Sequence, residues 1–178
     1  VESALLFGVG RAYGLELLLK KKEGVLTGWV SYTLSKTERK ITGINQDNWY
    51  NARQDRTHDI AVVGIYTLNS RWSISSVFVY NTGDAVTFPT GKYSIQGQTI
   101  YQYAARNGNR MPSNHRMDIS VTYDKKRKKR IQESWNFSLY NVYGRENAYQ
   151  INFQDDPKDL SRTQIIQTSL FRWVPSVT

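Results

Sequence analysis

Apolar and polar residues alternate along this chain with a period of two, over stretches of about ten residues at a time. Met117, Ile119, Val121 and Tyr123 interleave with Arg116, Asp118, Ser120 and Thr122, and Tyr13, Leu15, Leu17 and Leu19 with Gly14, Glu16, Leu18 and Lys20. This is the signature of strands with one apolar and one polar face. It predicts about seven strands, at 10–21, 25–36, 58–68, 72–81, 115–124, 134–143 and 163–178.

The connections between these segments alternate in length. Glu23-Gly24 and Asn69-Ser70 are short turns, whereas 37–56, 82–114 and 144–162 are long polar segments. Up-and-down outer-membrane barrels are built from short periplasmic turns and long extracellular loops. Tyr66 and Trp72 flank one short turn, Tyr123 and Trp135 flank the 125–133 connection, and Tyr13 and Tyr80 sit at the opposite strand ends. Two aromatic levels are expected where a wall crosses both interfaces of a bilayer.

Composition narrows the alternatives. With 178 residues and no Cys, the chain can form one domain but no disulfide scaffold and no thiolate metal site. Mean hydropathy is −0.57, and no apolar run approaches the roughly 18 residues of a transmembrane helix. A wall that meets lipid with every second residue keeps a polar average. The net charge of +9 comes largely from one run, Lys125 to Arg130, read as a solvated turn beside lipid headgroups rather than a nucleic-acid patch. Seven strands cannot close a bacterial barrel, so the edges are expected to meet other strands.

Several stretches resemble TonB-dependent outer-membrane receptors: 8–21 with 28–36, Asp55-Arg-Thr-His-Asp, Thr87-Phe-Pro-Thr-Gly, Arg110-Met-Pro, His115-Arg-Met-Asp and 135–143. Their order and spacing carry the likeness, which is nearest to the siderophore-receptor branch. The resemblance implies an all-β, antiparallel, up-and-down transmembrane barrel, of which this chain would be the C-terminal part of about 22 strands. It implies an N-terminal plug, an inner-membrane energy-coupling protein of the TonB type, outer-membrane lipid as surroundings, and uptake of a ligand that the residues do not name. It also implies a terminal aromatic residue, so a few residues are expected beyond Thr178.

Candidate chemistry is sparse. No nucleophile–base pair or spaced carboxylate pair suggests an enzyme, and no cofactor is implied. Gly8, Gly10 and Gly14 lack the context of a nucleotide loop and suit a curved wall. His58 and His115 open strands and are expected to be hydrogen-bonded there, not metal-bound. Asp155-Asp156 is expected to be a solvated loop pair. Glu16, Asp59, Arg116 and Asp118 fall on polar faces and are expected to meet a water-filled lumen or the plug. Trp49, Tyr50, Arg53, Tyr93, Tyr101, Tyr103 and Arg106 lie in the long segments and are the candidate ligand contacts, since aromatics with Arg are common binding material. The rival readings are a soluble lipocalin-like binding barrel, which would need an apolar interior, and a small outer-membrane adhesin barrel.

Overall fold

The computed structural model describes residues 6–96, 98–103, 105–125 and 131–178, apart from the side chains of residues 160 and 161. The chain is all-β and antiparallel. Its strands are β1 (Gly8–Lys21), β2 (Leu26–Ile41), β3 (Tyr50–Asn51), β4 (His58–Thr67), β5 (Trp72–Asn81), β6 (Ala85–Val86), β7 (Pro89–Ile95) and β8 (Gln98–Tyr103). They continue with β9 (Asn109–Arg110), β10 (Asn114–Asp124), β11 (Ser134–Tyr140), β12 (Gln150–Asp156), β13 (Asp159–Thr168) and β14 (Val174–Val177).

One sheet dominates, in the order β1-β2-β4-β5-β10-β11-β14, with β3 beside β2. It is a meander that does not close on itself. Three two-stranded ribbons stand apart: β6 with β9, β7 with β8, and β12 with β13. Because successive strands of the meander run antiparallel, the short turns all fall at one end of the sheet and the ribbons at the other.

The register sorts side chains as the period of two predicts. Leu19, Val30, Val62, Phe78 and Met117 form one cross-strand row, and Ile74, Val121 and Phe137 belong to another on the same face. Ser75, Ser120 and Ser138 line up on the opposite face, where the Ser75 and Ser120 hydroxyls lie 2.7 Å apart. Asn136 Nδ2 donates to Thr122 Oγ1 at 2.9 Å on that face as well. These polar groups satisfy one another across strands, next to an apolar strip of Ala61, Val63, Val77 and Val79 on the same face.

The main sheet covers no hydrophobic core. Among the described residues the only buried hydrophobic side chains are Tyr50, Ala52 and Ala85, all in the long connections. Leu17 is 53 % exposed, Phe137 48 % and Trp135 52 %.

Four expectations need correction. The segment 163–178 is not one strand. Its first part is β13, folded back on β12 as a local hairpin, and only β14 joins the sheet, beside β11. Alternation specifies a strand but not its partner, and a partner two residues away costs less loop-closure entropy than one across the sheet. The strand at 134–143 stops at Tyr140, because Asn141 takes φ 54° to bring its amide Nδ2 to the carbonyls of Arg145 and Arg172. The segment 37–56 is not all loop: β2 runs on to Ile41 and β3 pairs with it. Asp155 is not solvated but lies in β12 and pairs with Lys92.

Candidate binding cleft at the ribbon end

The first two long connections are tied to one another by backbone contacts that need small residues. Ala85 N donates to Arg53 O at 3.1 Å, and both Ala85 and the neighbouring Ala52 are fully buried. A Cβ on Gly83 would lie 1.9 Å from Met111 O, so only glycine lets these chains approach. Asn107, at φ 56°, donates through Nδ2 to Asn51 O at 2.8 Å, and its amide donates to Thr87 Oγ1 at 2.8 Å.

Beneath these contacts lies a charged staple. Asp55 is fully buried and accepts from Thr37 N at 2.5 Å and from the Arg110 guanidinium. Arg110 Nη1 also donates to Asp55 O at 2.8 Å and to Gly83 O at 3.1 Å. A carboxylate this deep survives only when paired and hydrogen-bonded, as it is here.

The ribbons are held together by a second network. Lys92 Nζ donates to Asp155 Oδ1 and to Arg162 O, both at 2.7 Å, and Thr99 Oγ1 donates to Asp155 Oδ2 at 2.7 Å. The Lys92 ammonium and the Thr99 hydroxyl hold the Asp155 carboxyl below its ordinary value. Burial beside Asp155 pushes the Tyr101 phenol up. Phe88, following β6, meets Phe153 of β12 with ring centroids 5.1 Å apart.

A cleft of about 450 Å³ opens above this floor. Arg53, Phe88, Tyr103, Tyr149 and Phe153 line it, with Asn107 and Asp84. Its size is within the range of small-molecule sites. Tyr103 also faces a second open cleft of about 630 Å³ with Trp49 and Asn45. Tyr101 and Lys92 line a third of about 440 Å³ with Phe153.

The structure thus brings together some of the candidate contacts and separates others. Arg53 and Tyr103 share the first cleft, and Trp49 and Tyr103 the second. Trp49 is covered by the Arg11 guanidinium, 4.2 Å from its ring. Tyr93 is exposed on β7, and Arg106 is anchored through its backbone to Asn45. Tyr50 departs from expectation: it is 7 % exposed, and its side chain serves the small loop core rather than a binding surface. Phe88, Tyr149 and Phe153 were not foreseen as site residues. Their only sequence signal is aromatic character within long polar segments, which does not reveal that two ribbons would meet.

The polar-face residues lie where alternation puts them. Asp59 faces Thr33 and Asn81, and Glu16 faces Thr33. Arg116 Nε donates to Asp118 Oδ2 at 3.1 Å while its guanidinium lies 4.7 Å from the Tyr140 ring. The other Asp118 oxygen accepts from Asn141 N at 2.8 Å, fixing the end of β11. Both histidines sit on the apolar face near the ribbon end, each bonded to a tyrosine: His58 Nδ1 to Tyr32 OH at 2.9 Å, and His115 Nδ1 to Tyr143 OH at 2.8 Å. Of the basic run only Lys125 is among the described residues, paired with Glu133 at 2.6 Å. No cluster of three or more metal-ligating side chains occurs among the described residues.

Compared with known proteins, the chain matches no family model, no curated protein and no solved structure.

Proposed function

We propose that the chain forms part of the wall of an outer-membrane β-barrel receptor of the TonB-dependent type, which binds a ligand at its ribbon end and passes it inward past a plug. The observation that carries this reading is a two-faced sheet with no core beneath it. A soluble chain of this length buries a substantial apolar core. Here the large apolar side chains of the sheet stay exposed or half-buried, while Ser75 with Ser120 and Asn136 with Thr122 hydrogen-bond on the other face. Lipid is the solvent that makes such a face stable.

The aromatic rows support a bilayer crossing. Tyr80 and Trp72, and likewise His115 and Tyr123, are eight residues apart on one face. At ~3.3 Å per residue this spans ~26 Å along the strand. Each level crosses several strands: Tyr80 shares its register row with Tyr32 and His115, and Trp72 shares its row with Tyr123 and Trp135.

In this reading the ribbons lie outside the cell and the short turns in the periplasm. Glu16, Asp59, Arg116 and Asp118 face the lumen, and the outer edge of β1 meets further strands. A lipocalin-like barrel would instead fill its inside with the apolar set. The test uses the absence of native Cys. Single Ile119→Cys and Asp118→Cys substitutions in the full-length protein are treated in membranes with a water-soluble maleimide. The Asp118→Cys variant should label and the Ile119→Cys variant should stay protected. Equal labelling, or recovery of the protein without detergent, overturns the proposal.

A further inference from the structure

We infer that the cleft between the β6–β9 region and the β12–β13 hairpin binds a small organic carboxylate with an aromatic body, held by Arg53. The inference deepens the receptor reading by giving its ligand site a place and a chemistry.

The charge inventory of the cleft singles out Arg53. Arg53 and Asp84 are the basic and acidic side chains that line it. Asp84 is already committed to Arg56, whose Nε lies 2.9 Å from Asp84 Oδ1. Arg110, just below, is committed to Asp55. Lys92, behind Phe153, is committed to Asp155. Arg53 is exposed, and its guanidinium has no carboxylate partner among the described residues. The cleft therefore carries one uncompensated positive charge, presented as a planar fork that suits a carboxylate bidentately. A single charge balances a monoanion better than a phosphate dianion.

The remaining walls set the body of the ligand. Phe88 and Phe153 form a rigid pair in ring contact, and Tyr103 and Tyr149 stand 57 % and 65 % exposed at the sides. The exposed rings are not packed on one another, so their faces are open to a guest. Aromatic walls around one cation favour a flat ring that carries the anion. The arrangement is built rather than accidental: the Arg53 carbonyl is clamped by Ala85 N, and the Phe88 amide is clamped by Asn109 Oδ1 at 3.2 Å.

The test uses the full-length protein in detergent, with isothermal titration of 2-naphthoate and of the neutral 2-naphthalenemethanol against protein-free micelle blanks. The carboxylate should bind at least ~10-fold more tightly than the alcohol, the factor that about 1.4 kcal/mol of ion pairing supplies. Arg53→Gln should bring the two within about twofold of each other. Tyr149→Ala should weaken both and leave their ratio unchanged, because that ring makes no side-chain hydrogen bond in the fold. Equal affinity of the two probes, a ratio untouched by Arg53→Gln, or binding no stronger than to empty micelles each overturns the inference. Fractionation of the same preparation reads the receptor proposal separately: a membrane protein that fails the titration loses only the cleft, and a soluble protein that passes it loses only the receptor.

Discussion

A lysine at Ile119 tests the physical core of the proposed function. Ile119 lies four residues from His115 and four from Tyr123, so ~13 Å of strand separates it from either aromatic row. Its cross-strand neighbours are Ser76 and Leu139, and no acid is in register with it. In a bilayer this is the midplane, where a lysine costs about 2–4 kcal/mol. The matched control is Ser120→Lys, one residue on and on the other face. It sacrifices the Ser75–Ser120 hydrogen bond, worth about 1 kcal/mol, but leaves the ammonium in water. The difference between the variants should therefore be about 1–3 kcal/mol, or roughly 5- to 150-fold in the folding equilibrium. Val121→Lys, two residues nearer the short-turn end, should fall between them. The assay is denaturant-induced unfolding of the full-length protein in phospholipid vesicles, with free energies extrapolated to zero denaturant. If Ile119→Lys costs no more than Ser120→Lys, the apolar face does not meet lipid and the receptor reading fails.

Removing the buried carboxylate by Asp55→Ala strands Arg110 and should cost about 3 kcal/mol; the Asp55→Ala/Arg110→Ala double variant should cost less than the sum of the singles, and additivity in the cycle would show that the pair is not coupled. Gly28→Ala should destabilise by about 1–3 kcal/mol, because its Cβ meets Val63 O at 2.0 Å with φ at 149°, whereas Gly64→Ala, in register with it but with nothing within 4 Å, should be nearly neutral. The Asp155 carboxyl titrates below its ordinary value of 3.8, so its pairing stabilises the ribbons fully above that value and is lost as pH falls through the lower folded-state value. Proteolysis at the 157–158 turn should accelerate in that acid window, and Lys92→Gln should make cleavage fast and less pH-dependent; an unchanged acid profile in that variant would refute the assignment. An epitope inserted at Lys158 should be detected on intact cells and one at Lys22 should not, with the reverse result inverting the topology.

Much of the main sheet is legible in the sequence, because the period of two is a local property. Ile119 and Asp118 must lie on opposite faces of any extended strand, and the register places them so. The Asn69-Ser70 turn is equally local: Asn69 Oδ1 accepts from the amides of Arg71 and Trp72. What alternation lacks is an address. Nothing near Thr163 says that its strand folds back on Gln150–Asp156 while only Val174–Val177 joins the sheet. Tyr50 and Tyr103 look alike in sequence, yet one is buried and the other open, because burial is decided by which loops land on them. The cleft depends on contacts between distant residues: Asp55 with Arg110, Phe88 with Phe153, Lys92 with Asp155. Local pattern determines which way a strand's side chains point, and only the tertiary structure, by closing long loops onto one another, decides which of them share a site.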